Sequence, residues 1–270
     1  MPRRWILVLI TLFSGCNLIE NPPPSTPTFL PIPSTAPSAD AVPQTWHILL
    51  PGLEQRTYLP PPENEVTKLA ALRIDPAYFT FRVHYRPGAP LTIRQWAEVL
   101  PGAAAFVNAN FFDDNDIILG LLVADGQVYG SAYTDRGGTF LVQNGQPRLR
   151  SNISEPYLGE PLEQAVQAFP MLMLDGAQAY TDAAQDRFTR RTVIAQDANG
   201  RIVLLVTPLI GLTLLDLSMF LPATDMNLVN ALNLDGGGST LMYLNTSGTP
   251  EYIVTSLDPV PAVLAIYPRP

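Results

Sequence analysis

The chain has 270 residues, 47% of them apolar, and carries 24 acidic against 16 basic side chains for a formal net charge of −8. That balance argues against a nucleic-acid partner, because phosphate backbones are held through an excess of Lys and Arg. With one cysteine and two histidines, the chain excludes an internal disulfide and gives no ligand set for zinc.

Arg3 and Arg4 precede an apolar run from Trp5 to Phe13, which ends in Ser14-Gly15-Cys16. The run is too short to span a bilayer and reads as a signal peptide over residues 1–16. Leu12 to Cys16 resembles a lipobox, so Cys16 is the expected lipidation site and the expected location is extracytoplasmic, anchored to a bacterial membrane; secretion is the alternative. Residues 17–45 are dominated by Pro, Ser, Thr and Ala and read as an extended spacer that cannot form a core. Residues 46–270 remain as one domain, with about 200 residues available to bury the apolar fraction.

Within that domain, Trp46 to Leu53 reads as a first strand. Tyr78 to Tyr85 alternates, with Phe79, Phe81, Val83 and Tyr85 on one face and Thr80, Arg82 and His84 on the other, as a half-buried strand does. Thr92 and Gln95 form a capping-box pattern that starts a helix, and Pro101-Gly102 stops it. The next strand should carry Asn108 at its end. Asp125-Gly126 and Asn144-Gly145 each separate apolar runs and predict two hairpins. Pro161 to Phe169 reads as a short helix and Met171 to Leu174 as a buried strand. Asp197 to Gly200 reads as a turn between Val193-Ile194 and Ile202 to Val206, and Thr213 to Leu221 as a helix. The sum predicts an α+β fold: a single domain of mainly antiparallel strands and hairpins with a few packed helices.

The most informative stretch is Ala231 to Leu244, ALNLDGGGSTLMYL. An apolar strand runs into Asp235, then Gly236, Gly237, Gly238, Ser239 and Thr240. Without Cβ atoms, backbone N–H groups can converge on a ligand oxygen. Asp-Gly is also a hairpin signal, but a third glycine and two hydroxyls exceed what a hairpin needs. Arg190 and Arg191 are the best candidates for a local positive site in an acidic chain. Asp113, Asp114 and Asp116 cluster in sequence but lack the glycine and terminal Glu of a calcium loop, so a solvated turn is expected and a divalent cation has no support.

At its glycine loop the sequence resembles the phosphodiester glycosidase family. Further segments carry the resemblance in the family's order from about Leu69 to Pro268: VNANFFD at Val107 to Asp113, AFPMLMLDG at Ala168 to Gly176, RTVIAQDANGRIVLLV at Arg191 to Val206, GLTLLDLSMFL at Gly211 to Leu221, and VPAVLAI at Val260 to Ile266. Ala109 and Asn110 stand where the family often has glycines, Ala195 and Gln196 interrupt its usual Arg-Thr strand, and Thr207-Pro208 replaces an Asp-Gly. The resemblance implies hydrolysis of the glycosidic bond in a sugar 1-phosphodiester of the cell envelope, and the sequence itself requires no cofactor. Asp235 is the first choice for the carboxylate acting at the anomeric centre or its water, and Asp175 the second. Substrate binding falls to Asn108, Arg191, Thr192, Asn233, Gly236, Gly237, Gly238, Ser239 and Thr240, with Phe111, Phe112 and Tyr243 as stacking candidates. The alternative is a surface lipoprotein that binds carbohydrate without cleaving it.

Overall fold

The computed structural model describes residues 45–184 and 186–270, all within the unit Val42–Pro270. The expected signal peptide, Cys16 and the spacer as far as residue 44 lie outside the described residues. Three sheets make up the domain, and every strand pairing in them is antiparallel. The largest has eight strands in the order His47–Leu50, Leu53–Tyr58, Leu69–Ile74, Ile202–Val206, Thr192–Asp197, Leu228–Asn233, Met171–Leu174 and Ala177–Gln178. A second sheet orders Gln127–Tyr129, Leu122–Ala124, Gln164–Ala168, Gly138–Gln143 and Gln146–Ser151. The third orders Glu251–Val254, Met242–Leu244, Ala105–Asn108, Ala262–Pro268 and Phe79–Tyr85.

Side chains from all three sheets meet in one core: Ile194, Leu204 and Leu232 from the first, Leu122, Phe140 and Val166 from the second, Phe81, Val107 and Leu264 from the third. Strand alternation sends the intervening residues outward. Val193, Leu205 and Ala231 form a second apolar layer under Leu217 of the helix Leu214–Phe220, while Phe106 and Val263 of the third sheet pack against Ile93 and Trp96 of the helix Ile93–Val99. Both helices start where the sequence predicts, at the side-chain caps of Thr92 and Thr213, each with a reciprocal capping box. Both are only seven residues long. The fold is therefore mostly β, and the α+β expectation gave the helices too much weight.

One predicted helix is a strand. Residues Gln164–Ala168 run between two neighbours of the second sheet with every residue buried. Gln164 and Gln167, three apart, imitate the polar stripe of a helix, but in a strand they point to opposite faces. Each amide is paired: Gln164 Oε1 accepts from the Val83 N–H at 2.9 Å, and Gln167 Nε2 donates to the Tyr133 carbonyl at 3.0 Å. The expected first strand is a hairpin, His47–Leu50 with Leu53–Tyr58, turning at Pro51-Gly52. The hairpins at Asp125-Gly126 and Asn144-Gly145 form as predicted, with both residues of each turn at positive φ. Asp113 accepts from the N–H groups of Asn115 and Ile117 and closes a turn.

Candidate active site

The glycine loop is the crossover from the eight-stranded sheet to the third sheet, since Leu228–Asn233 lies in the former and Met242–Leu244 in the latter. Asn108, at the end of its strand, holds both ends of this crossover. Its Nδ2 donates to the Asp235 carbonyl at 2.7 Å, and its Oδ1 accepts from the Leu241 N–H at 3.1 Å and from Thr192 Oγ1 at 2.7 Å. Asn108 and Thr192 are both buried, so their polar groups frame the loop. Ala109, where the family often has glycine, supplies the carbonyl that receives the Asp235 N–H at 3.2 Å.

Arg190 fixes the middle of the loop. Its guanidinium donates to the carbonyls of Gly237, Gly238 and Thr255 at 3.0, 3.1 and 2.9 Å, and its own carbonyl accepts from the Gly237 N–H at 2.8 Å. The sequence pointed to the adjacent residue. Arg191 instead donates through Nη2 to Asp186 at 3.0 Å and to the Arg187 carbonyl at 2.7 Å, and its Nε is buried without a partner among the described residues. Asp186 in turn accepts from the N–H groups of Leu214 and Leu215 at the start of the helix Leu214–Phe220. The two arginines diverge because neighbours along a strand face opposite ways: Thr192 and Ile194 follow Arg190 toward the inter-sheet core, and Val193 follows Arg191 toward the helix layer.

The loop amides are partly committed. Gly236 N–H donates to its neighbour's Asp235 Oδ1 at 2.8 Å, and Gly237 N–H is the one bound by Arg190. Gly237 has a φ of 63°, which disfavours any side chain there. A Cβ on Gly238 would displace the Asp258 carboxylate, and one on Gly236 would meet the Arg190 carbonyl at 2.8 Å. The Gly238 carbonyl also accepts from the Leu257 and Asp258 N–H groups at 2.7 and 3.3 Å. Asp258 thus lies against the loop from the far side of the chain, a placement that nothing local in the sequence reveals.

Asp235 is the electrostatically distinctive group. Burial pushes its carboxyl up to about 6, against opposing hydrogen bonds from Ser239 and the Gly236 N–H, and the nearby negative charge of Asp258 raises it further. Ser239 and Thr240 are buried, and Thr240 Oγ1 has no partner among the described residues. Asn233, two residues before Asp235, donates through Nδ2 to the Phe169 carbonyl at 3.0 Å, while its buried Oδ1 is unpartnered. Burial raises and perturbs carboxyl groups of this kind most often at functional sites.

Asp175 is not brought to this group. It sits at φ 50° in the exposed turn between Met171–Leu174 and Ala177–Gln178, and its N–H donates to Asn230 Oδ1, near the other end of the strand that leads to Asp235. Of the aromatic candidates, Tyr243 is a core residue, 3% exposed and stacked on Phe106 at 4.6 Å. Phe111 is half-buried and packs on Phe169 at 4.9 Å, whose ring meets Tyr133 at 5.6 Å; Phe112 is half-buried as well. Clefts of about 710 and 530 Å³ lie elsewhere, the first lined by Asp75, Asn144, Gln196 and Arg269, the second by Asp125, Gln143 and Glu163. Their walls are hairpin turns without the loop's chemistry. Among the described residues, no group of three or more His, Cys, Asp or Glu side chains is placed to hold a metal.

A mostly-β domain whose sheet crossover holds a half-buried aspartate in a triple-glycine loop defines the class of protein. A family model of the phosphodiester glycosidases matches residues 101–267, and the chain belongs to that family. Its fold is similar to that of the zebrafish N-acetylglucosamine-1-phosphodiester alpha-N-acetylglucosaminidase catalytic domain auto-inhibited by its pro-peptide, with a TM-score of 0.60 and 19% identity over 83% of this chain and 86% of that one. A hypothetical protein from Synechocystis gives a TM-score of 0.59 at 18% identity, covering 86% of this chain and 65% of the other. No curated protein matches the chain.

Proposed function

We propose that the protein is a hydrolase that cleaves the glycosidic bond of a sugar 1-phosphodiester, with Asp235 as the carboxylate acting at the anomeric centre or on its water. The observation that carries this reading is a half-buried Asp235 whose carboxyl is raised to about 6 by desolvation, in the glycine loop of a chain that belongs to the phosphodiester glycosidases. A carboxyl of this kind is ionised near neutral pH and still basic enough to take a proton from water. The phosphate diester is a good leaving group, so protonation of the departing oxygen is less demanding than in an ordinary glycoside. Asp258 holds negative charge beside Asp235 and keeps its basicity up, while Asn108, Thr192 and Arg190 hold the loop in place. Asn233 Oδ1 and Thr240 Oγ1 are unpartnered among the described residues but buried, so they line the underside of the loop rather than its open face. The remaining loop residues, Ser239 included, position Asp235.

The test is a hydrolysis screen of the purified protein against sugar 1-phosphodiesters and neutral aryl glycosides. Turnover should favour the diesters. Activity on neither class, with the diesters still bound, would replace this reading by that of a non-catalytic carbohydrate-binding protein.

We also propose that the domain acts outside the cytoplasm, anchored through a lipid on Cys16. No helix among the described residues is long and apolar enough to cross a membrane. Labelled fatty acid should enter the wild-type chain and not Cys16→Ser. Equal labelling of the two would overturn the anchor.

A further inference from the structure

Two large exposed apolar side chains, Phe188 and Leu257, adjoin residues that touch the glycine loop, and two more, Leu209 and Ile210, stand exposed on the segment that bridges to Thr189. Phe188 is 63% exposed, Leu209 47%, Ile210 64% and Leu257 79%. Each is tied to the loop by its neighbours. Phe188 precedes Thr189, whose Oγ1 would lie 3.5 Å from a Cβ on Gly237. Thr189 bridges to Leu212, which follows Leu209 and Ile210 after one glycine. Leu257 donates its N–H to the Gly238 carbonyl at 2.7 Å, on the side of the loop where Asp258 rests. The rim carries a cation too, for Arg187, beside Phe188, is exposed and has no ion pair among the described residues.

Single exposed apolar residues are ordinary, whereas several gathered around one site mark a binding surface. A surface with an exposed arginine beside apolar side chains suits an anionic group joined to a hydrocarbon. Building on the phosphodiester reading, we propose that the substrate is amphiphilic: the alcohol esterified to the sugar phosphate carries a hydrocarbon chain, and Phe188, Leu209, Ile210 and Leu257 receive that chain while Arg187 faces the phosphate. The occupant is taken to be part of the substrate, because Thr189, next to Phe188, and Leu257 touch Gly237 and Gly238 of the loop that holds Asp235. Water leaves the chain and the rim together, and each buried methylene strengthens binding, so affinity should rise with chain length.

The probes are methyl phosphate and decyl phosphate, the latter below its micelle concentration, with binding to the full chain measured by calorimetry. Decyl phosphate should bind at least about tenfold more tightly than methyl phosphate, a modest return for the methylenes involved. In the triple variant Phe188→Ser, Ile210→Ser, Leu257→Ser the ratio should fall toward one, with the thermal melting point retained because all three side chains are exposed. A ratio near one in the wild-type chain overturns the proposal. So does rim-dependent binding to phosphatidylcholine vesicles with no chain-length preference, which would make the rim a bilayer contact instead. Because these readings need no turnover, they separate from the hydrolysis screen: a chain that prefers decyl phosphate yet cleaves no sugar diester refutes the hydrolase and not the amphiphilic ligand.

Discussion

Replacing Arg190 with alanine should unfold the glycine loop and take most of the turnover with it. The residue is 8% exposed and its guanidinium donates to three carbonyls, two of them within the loop. Truncation removes one donor from each; the Gly238 carbonyl keeps the Leu257 and Asp258 N–H groups and the Gly237 carbonyl a longer bond from Thr240, while a buried group left unsatisfied costs about 1–3 kcal/mol. Solvent will reach some of them, so a loss of about 3 kcal/mol is expected, equivalent to roughly 6–12 °C in melting temperature for a domain of this size. Arg190→Lys keeps the charge but not the planar fork, and one ammonium cannot reach three divergent carbonyls with the same geometry. It should recover part of the stability and little of the activity. Arg191→Ala is the control. That residue pairs with Asp186, which caps the helix Leu214–Phe220, so its loss should lower stability without moving the Asp235 titration. If Arg191→Ala abolishes turnover of the charged diester alone and Arg190→Ala is mild, the phosphate-binding role expected of Arg191 from sequence is restored and the clamp is wrong.

That pair of arginines shows where the sequence stops being legible. Strand alternation from Phe79 to Tyr85, the capping box at Thr92, the helix expected from Thr213, and the Asp-Gly and Asn-Gly turns rest on local signals, and each produced the expected element. The glycine loop itself is local as well. Which of two adjacent arginines faces it depends on which side of the strand meets another sheet, and that follows from the packing of all three sheets together. Gln164–Ala168 failed for a related reason: a strand buried on both faces loses its period-two signature, and two paired glutamines then mimic a helical stripe. Asp258 is invisible by the same logic, since it arrives from a segment 23 positions beyond Asp235 and meets the loop through the Gly238 carbonyl and its own carboxylate. Asp175 illustrates the converse. Its Asp-Gly pair has a purely local explanation as a hairpin turn, and the structure gives it that role.

The exchange Asp235→Asn should abolish catalysis while making the domain more stable. Turnover of a sugar 1-phosphodiester should fall by roughly 10²-fold or more, the scale of a positioned acid–base group. Stability moves the other way because the folded state disfavours the charge. Between the ordinary carboxyl range near 3.8 and the folded value of about 6, the folded chain keeps a proton that the unfolded chain has released. Stability therefore falls as pH rises through that window, and the cost stays constant above it. The full shift corresponds to about 3 kcal/mol, and partial exposure of the residue reduces the expected gain to about 1–2 kcal/mol at neutral pH. Asparagine can keep the acceptor that Gly236 N–H uses, so the loop need not rearrange. Denaturation at pH 4 should show wild type and variant nearly equal, with the variant ahead at pH 7. In the wild type, kcat/KM should rise through an apparent pKa near 6 as the carboxylate forms, and Asp258→Asn should move that limb to lower pH by removing the neighbouring negative charge. A variant that keeps near-full turnover, or a wild-type profile flat from pH 5 to 8, would take the catalytic role away from Asp235.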